Sequence, residues 1–258
     1  MREYLNVAIK AAKEAGRLSL EKAGNLDIST KETRFDFVTN ADKEIEAYIK
    51  SMLSEEFPEI GFLAEESGSS KGNSELLWII DPIDGTNNYI NGIPFFCTSI
   101  ALARNDEPIL GVIYEPNRNE LFYAAEGSGA FLNGKNIRVS NRDSLDKAII
   151  ALSFPSSNKA QGMAYFNHFS FKYLYKNTRA IRKLGAAALE LAYVASGRID
   201  AFFRRNIKPW DAAAAAAIVR EAHGKVTNQF GERWKIHDRF ILATNGLLHK
   251  ELLALLKR

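Results

Sequence analysis

One short segment constrains this chain more than any other: Trp78-Ile79-Ile80-Asp81-Pro82-Ile83-Asp84-Gly85-Thr86. An apolar run leads into two carboxylates three positions apart, and glycine and threonine follow at once. A buried strand ending here would deliver Asp81, Asp84, the Ile83 carbonyl and the Thr86 hydroxyl to one point. These are hard oxygen donors, suited to Mg²⁺ and not to a soft metal. The segment therefore points to metal-assisted chemistry on a phosphate. Asp-Pro and Asp-Gly are also ordinary turn signals, so the reading needs support from elsewhere in the chain.

That support comes from two further acidic positions where elements change. Glu65 follows the short apolar run Gly61–Ala64, and Asp211 stands at the start of an alanine-rich helix. Two Mg²⁺ ions about 3.5–4 Å apart can clamp the attacking and leaving oxygens of a phosphoryl transfer. Asp81 is placed to bridge such a pair. Gly85 lets the backbone approach a phosphate closely, and a helix starting near Thr86 would present free N–H groups to it. Taken alone, Asp211 reads most simply as a helix N-cap. The spacing Asp-x-x-Asp-Gly-Thr also differs from the Asp-x-Asp-Gly-Thr of haloacid-dehalogenase-type phosphatases. That argues against a covalent aspartyl-phosphate and for direct attack by water.

Composition narrows the classes. The chain has 258 residues, enough for one domain with possible lobes at 1–140 and 141–258. Net charge is +3 with no long basic run, which argues against nucleic acid as the main partner. Cys97 is the single cysteine, so neither an internal disulfide nor a cysteine zinc site can form. The first 22 residues mix charge into an apolar helical period and do not resemble a signal peptide. No apolar run reaches membrane-spanning length. A cytoplasmic enzyme is the expectation.

Periodicity and turn signals predict helices over 3–22, from 40 to the stop at Pro58, over 160–175, 186–196, 211–223 and 247–256. Strands are expected at 61–64, 76–80, 95–104, 109–115, 121–126, 129–132, 149–154, 179–184, 199–203 and 241–243. Asn133-Gly134 is a hairpin signal. Ser67–Ser74, rich in Ser and Gly, reads as a mobile surface loop. Elements mix without strict alternation, which favours layered sheets and helices over a regular barrel.

With these residues in view, the chain resembles the inositol monophosphatase family. The likeness rests on Glu65-Glu66-Ser67, Trp78–Thr86, Pro209-Trp210-Asp211, Asp36 to Asp42, Gly185-Ala186-Ala187 and Asn133-Gly134, in order along essentially the whole chain. It implies an α+β fold layered α-β-α-β-α, dependence on two or three Mg²⁺ ions, sensitivity to Li⁺ and a homodimer. By position it implies that Glu65, Asp81 and the Ile83 carbonyl hold one ion, and that Asp81, Asp84 and Asp211 hold a second. Thr86 and Asp42 would orient and deprotonate the attacking water, with Glu65 beside them. Asp42, read on its own, is instead a helix residue exposed to solvent or capping its own turn.

For the substrate, the resemblance implies contacts from Asp84, Gly85, Thr86, Lys31, Ser156, Gly185, Ala186 and Ala187. Lys31 also reads as a plain surface lysine, and Ser156-Ser157 as a turn. Inositol-specific members carry a glutamate seven residues before the helix-starting aspartate, where this chain has Arg204, followed by Arg205. Arginine binds phosphate but cannot accept hydrogen bonds from hydroxyls. The expectation is a small phosphorylated metabolite with a second anionic group. Fructose 1,6-bisphosphate leads, beside inositol monophosphate, the 2′-phosphate of NADP and 3′-phosphoadenosine 5′-phosphate. Both arginines facing solvent or a dimer partner is the alternative. A rival from another class is a non-catalytic RNA- or protein-binding member of the fold, but such a chain should have lost acidic ligands and this one keeps all four.

Overall fold

The structure, a computed structural model, describes residues 1–30, 37–153 and 169–256. Lys31, Ser156, Ser157 and the first part of the helix expected over 160–175 lie outside the described residues. Two helices open the chain, α1 (Arg2–Lys22) and α2 (Asn40–Glu56), with a small ladder of β1 (Ile28–Thr30) and β2 (Phe37–Thr39) between them. The first large sheet is built from β3 (Gly61–Ala64), β4 (Gly68–Ser70), β5 (Leu76–Asp84), β6 (Cys97–Arg104), β7 (Glu107–Glu115), β8 (Glu120–Ala125), β9 (Ala130–Leu132) and β10 (Lys135–Ile137). Its eight strands run in the order β10-β9-β8-β7-β6-β5-β3-β4. The short helix α3 (Thr86–Ile90) follows β5.

The second sheet has the order β12-β11-β13-β15-β14, from β11 (Ile149–Ser153), β12 (Ala180–Arg182), β13 (Ala201–Arg205), β14 (Lys225–Thr227) and β15 (Phe240–Thr244). Four helices accompany it: α4 (Phe169–Asn177), α5 (Ala187–Ala195), α6 (Pro209–Glu221) and α7 (His249–Leu256). Helices α1 and α2 cover one face of the eight-stranded sheet, while α5 and α6 lie between the two sheets. Helices α4 and α7 cover the outer face of the second sheet. The result is the α-β-α-β-α layering that the resemblance implied.

The period of two in the strands explains the layers. Trp78 and Ile80 on β5, Ile100 and Leu102 on β6, and Leu110 and Val112 on β7 pack toward α1 and α2. Their neighbours Ile79, Ala101, Ala103 and Ile113 pack toward α5 and α6. A strand with apolar residues on both faces needs cover on both. The middle helices meet that need by being apolar all round, as the run of alanines from Ala212 to Ala217 shows. Those alanines also permit close approach. A Cβ on Gly111 of β7 would fall 2.1 Å from the Ala214 carbonyl oxygen. Sheet and helix backbones touch there.

Several elements differ from the sequence reading. Ser67–Ser74 is not a featureless loop. It forms the edge strand β4, antiparallel to β3, and turns back through Gly72, which packs on the backbone of Glu59 and Gly61. Exposed serines give no apolar alternation from which to infer such a strand. The strand feeding the motif runs on through it to Asp84, and α6 begins at Pro209, two residues before Asp211. The Asn133-Gly134 hairpin is present, with φ of +49° and +80° at its two turn residues.

Candidate metal and phosphate site

In a regular strand, residues three apart point to opposite faces. Asp81 and Asp84 avoid this through a bulge: Asp81 pairs with Ser99 and Asp84 with Cys97, so three steps on β5 match two on β6. A bulge inserts an extra residue and re-aims the side chains beyond it. Both carboxylates thereby face the middle layer, where α6 brings in Asp211. One ligand atom from each of Asp81, Asp84 and Asp211 lies within 4.8 Å of the others, and all three residues are buried. Glu65, at the end of β3, is held by its N–H on the Ile80 carbonyl at 3.2 Å. Its carboxyl lies close enough to Asp81 to help raise the Asp81 pKa.

This concentration of negative charge perturbs the group strongly. Burial, and then the neighbouring Glu65, Asp84 and Asp211 carboxylates, push the Asp81 carboxyl well above the usual range. Asp84 is pushed up to about 7, first by burial and next by Asp211. One oxygen of Asp81, Oδ1, is covered and meets no hydrogen-bond donor among the described residues. Buried carboxylates without donors are costly unless a cation joins them. The donors are all hard oxygens, so the set fits a divalent cation such as Mg²⁺.

Asp84 has a second task. It accepts hydrogen bonds from the N–H groups of Ala187, Ala188 and Leu189 at 3.0, 2.7 and 3.4 Å, and so caps the start of α5 from another part of the chain. The buried Cys97 thiol donates to its Oδ2 at 3.7 Å. Ala187, expected to serve the substrate, thus spends its N–H on Asp84. Gly185 and Ala186 stand beside Gly85. Both glycines have left-handed backbones, φ +95° at Gly85 and +93° at Gly185, and a Cβ on Gly85 would meet the Ala186 methyl at 3.0 Å. Asn88 ties the two turns together, donating to the Phe95 and Leu184 carbonyls at 2.7 and 2.8 Å.

Thr86 opens α3, with its hydroxyl 3.1 Å from the Ile83 carbonyl and 3.5 Å from Asp42 Oδ1. Asp42 is buried, and its other oxygen accepts from the Thr39 hydroxyl at 2.6 Å and the Thr39 N–H at 2.7 Å. Both sequence readings of Asp42 meet here: it closes a capping box at the start of α2 and it reaches Thr86.

The two arginines part company. Arg204 enters the cluster, with Nη1 2.8 Å from Asp211 Oδ2. Arg205, the next residue on the strand, projects to the other face, over the Phe240 ring at 5.6 Å and toward the Leu256 carbonyl at 3.4 Å. It does not join the site.

Two acids that the sequence reading passed over matter here. Glu46, one turn beyond Asp42 on α2 and buried, accepts from the N–H groups of Glu66 and Ser67 at 2.7 and 2.8 Å. It fixes the chain immediately after Glu65. Glu190, fully buried on α5, takes the Leu184 N–H at 2.7 Å and so braces the turn before Gly185. Burial, with a further contribution from Asp84, raises its carboxyl to about 8. Its signal was legible: it is the one acid in the run Ala186–Ala195.

Among the described residues no helix is long and apolar enough to cross a membrane. The profile of the inositol monophosphatase family matches residues 1–258. Nus factor SuhB of Escherichia coli (strain K12) is 40% identical over 258 residues, covering 98% of this chain and 96% of that one. A fructose-1,6-bisphosphatase/inositol-1-monophosphatase of Thermotoga maritima is 40% identical over 251 residues, covering 97% and 94%. The crystal structure of the extragenic suppressor protein suhB from Bartonella henselae superposes with a TM-score of 0.91 at 40% identity, covering 98% of both chains. An IMPase/NADP phosphatase solved with Mg²⁺ and phosphate gives a TM-score of 0.82 at 29% identity, covering 95% and 91%. Profile, relatives and superpositions agree with the geometry: the chain belongs to the inositol monophosphatase family.

Proposed function

We propose that this chain is a Mg²⁺-dependent phosphomonoesterase acting on a small sugar or cyclitol phosphate. The observation that carries this is the meeting of Asp81, Asp84 and Asp211 within 4.8 Å, beside a Thr86–Asp42 pair. When bound there, divalent cations would lower the pKa of water and offset charge on the phosphate. Glu65, Asp81, Asp84 and Asp211 would hold them. The Thr86 hydroxyl, set between the Ile83 carbonyl and Asp42, accepts a proton from the attacking water and passes its own to Asp42. The Thr39 N–H and hydroxyl keep Asp42 turned toward that task.

Relatives named for inositol-1-monophosphatase and fructose-1,6-bisphosphatase support the substrate class. The SuhB relatives carry the name Nus factor, which favours a second reading, a binding role for RNA or another protein. The retained acids and the Thr86–Asp42 pair favour the enzyme.

The test is phosphate release from inositol 1-phosphate, fructose 1,6-bisphosphate, NADP and 3′-phosphoadenosine 5′-phosphate. Release should require Mg²⁺, stop with a chelator, fall with Li⁺, and drop by about 10²-fold or more in Asp42→Asn. No release from any of the four in Mg²⁺ would overturn the proposal and leave the binding role.

A further inference from the structure

Arg204 is placed where a cation would be expected to act. Its Nη1 lies 2.8 Å from Asp211 Oδ2, and its side chain is only 19% exposed. Its Nε is covered and meets no acceptor among the described residues. Asp211 in turn belongs to the carboxylate group whose oxygens lie within 4.8 Å of one another. The other cations nearby in sequence do not join it: Arg205 stands over Phe240 and Lys208 over the Trp210 ring at 5.7 Å. The three do not form a shared anion-binding face. One arm of the Arg204 guanidinium, Nη1, forms an ion pair with Asp211 Oδ2.

We propose that Arg204 is a built-in counter-cation of the carboxylate cluster, competing with the divalent cation for Asp211 and so setting how much of that cation the site requires. The proposal rests on reading the cluster as a divalent-cation site. Two physical effects act in the same direction. A guanidinium paired to Asp211 occupies an oxygen that a cation needs. It also adds positive charge to the space a second positive charge would enter, where a low local dielectric strengthens the repulsion. An apolar residue at 204 removes both effects, and a neutral polar one removes the charge. The position therefore tunes metal affinity and does not grip a second phosphate.

Calorimetric titration of Mg²⁺ and Mn²⁺ into the full chain tests this. Arg204→Gln and Arg204→Met should each bind Mg²⁺ at least about tenfold more tightly than wild type, or about 1.4 kcal/mol. Arg204→Lys, which keeps the charge, should stay near wild type. Inorganic phosphate affinity at saturating Mg²⁺ should not fall in the neutral variants. Circular dichroism identifies variants that fold, and two neutral variants of different polarity guard against loss of one. In the wild type itself, the arginine Nε–H spectrum should change on adding Mg²⁺. Wild-type Mg²⁺ binding with unchanged or weaker affinity in the neutral variants would overturn the proposal. So would loss of phosphate affinity there without change in metal affinity, or an arginine spectrum indifferent to Mg²⁺. Absence of Mg²⁺ binding in every form would remove the cation-site reading first and this one with it.

Discussion

At the scale of single residues, the acids of the site work against the fold that holds them. A carboxyl whose folded pKa lies above its ordinary value destabilises the folded state at every pH above that value, because the unfolded chain ionises freely there. Asp81 is raised by burial and by three neighbouring carboxylates, so in metal-free protein at neutral pH it costs stability. Asp81→Asn removes that cost and keeps the size and polarity of the side chain. Thermal unfolding in chelator should rise by ~2–4 °C for each ~1 kcal/mol recovered, while the stabilisation wild type gains from Mg²⁺ should vanish. A lower melting temperature for Asp81→Asn in chelator would contradict this account. Asp81, Asp84 and Asp211 were legible in the sequence because glycine, proline and apolar runs flank them. Glu46 was not, since an acid on an amphipathic helix looks the same whether it meets solvent or, as here, two backbone N–H groups. The divergence of Arg204 and Arg205 was legible in principle. Phe202 and Phe203 just before them already alternate between the middle and outer cores.

At the scale of elements, the site depends on backbone contacts more than on side-chain identity. Helix α2 presents Asp42 and Glu46 on one face, and through them touches both Thr86 and the chain after Glu65. Glu46→Gln keeps one acceptor and loses the other. It should raise the Mg²⁺ concentration needed for half-maximal activity while leaving turnover at saturating Mg²⁺ near wild type. A fall in saturated turnover with unchanged Mg²⁺ demand would count against a positioning role for Glu46. Helix α6 is set by Gly111, where any Cβ would collide with the Ala214 backbone. Gly111→Ala should cost about 3 kcal/mol and displace the helix that carries Asp211, seen as a lower melting temperature together with weaker Mg²⁺ binding. The long helices and strands were readable from period and caps. The three-residue strands β1, β2, β4 and β14 were not, because pairing with a neighbour makes them and no local pattern announces it; only β10 was foreshadowed, by the Asn133-Gly134 turn. Nor did the sequence disclose the bulge at Asp81–Asp84, which exists only against β6.

At the scale of the whole molecule, five layers were not deducible from any one segment. They arise from two sheets that both need cover and from a pair of all-apolar helices able to serve both at once. The outermost layer closes on a buried histidine. His249, at the start of α7, has its ring nitrogens 2.9 Å from the Thr227 hydroxyl and 3.0 Å from the Thr244 hydroxyl, joining the helix to β14 and β15. Burial first, and Lys225 second, lower its pKa from 6.5 to about 4. The fold therefore holds the neutral ring, and the unfolded chain takes up a proton more readily. The stability His249 contributes is intact above about pH 6.5 and is lost as pH falls toward about 4. Asp81 and Asp84 respond in the opposite sense over an overlapping range, so the total stability curve of wild type does not isolate the histidine. The difference between wild type and His249→Gln does, because both proteins keep the carboxylate cluster and glutamine does not titrate. That difference in melting temperature should be largest at pH 7.5 and shrink steadily on acidification from pH 6.5 toward 4. A gap that stays constant across this range would show that the imidazole gains its place by packing alone.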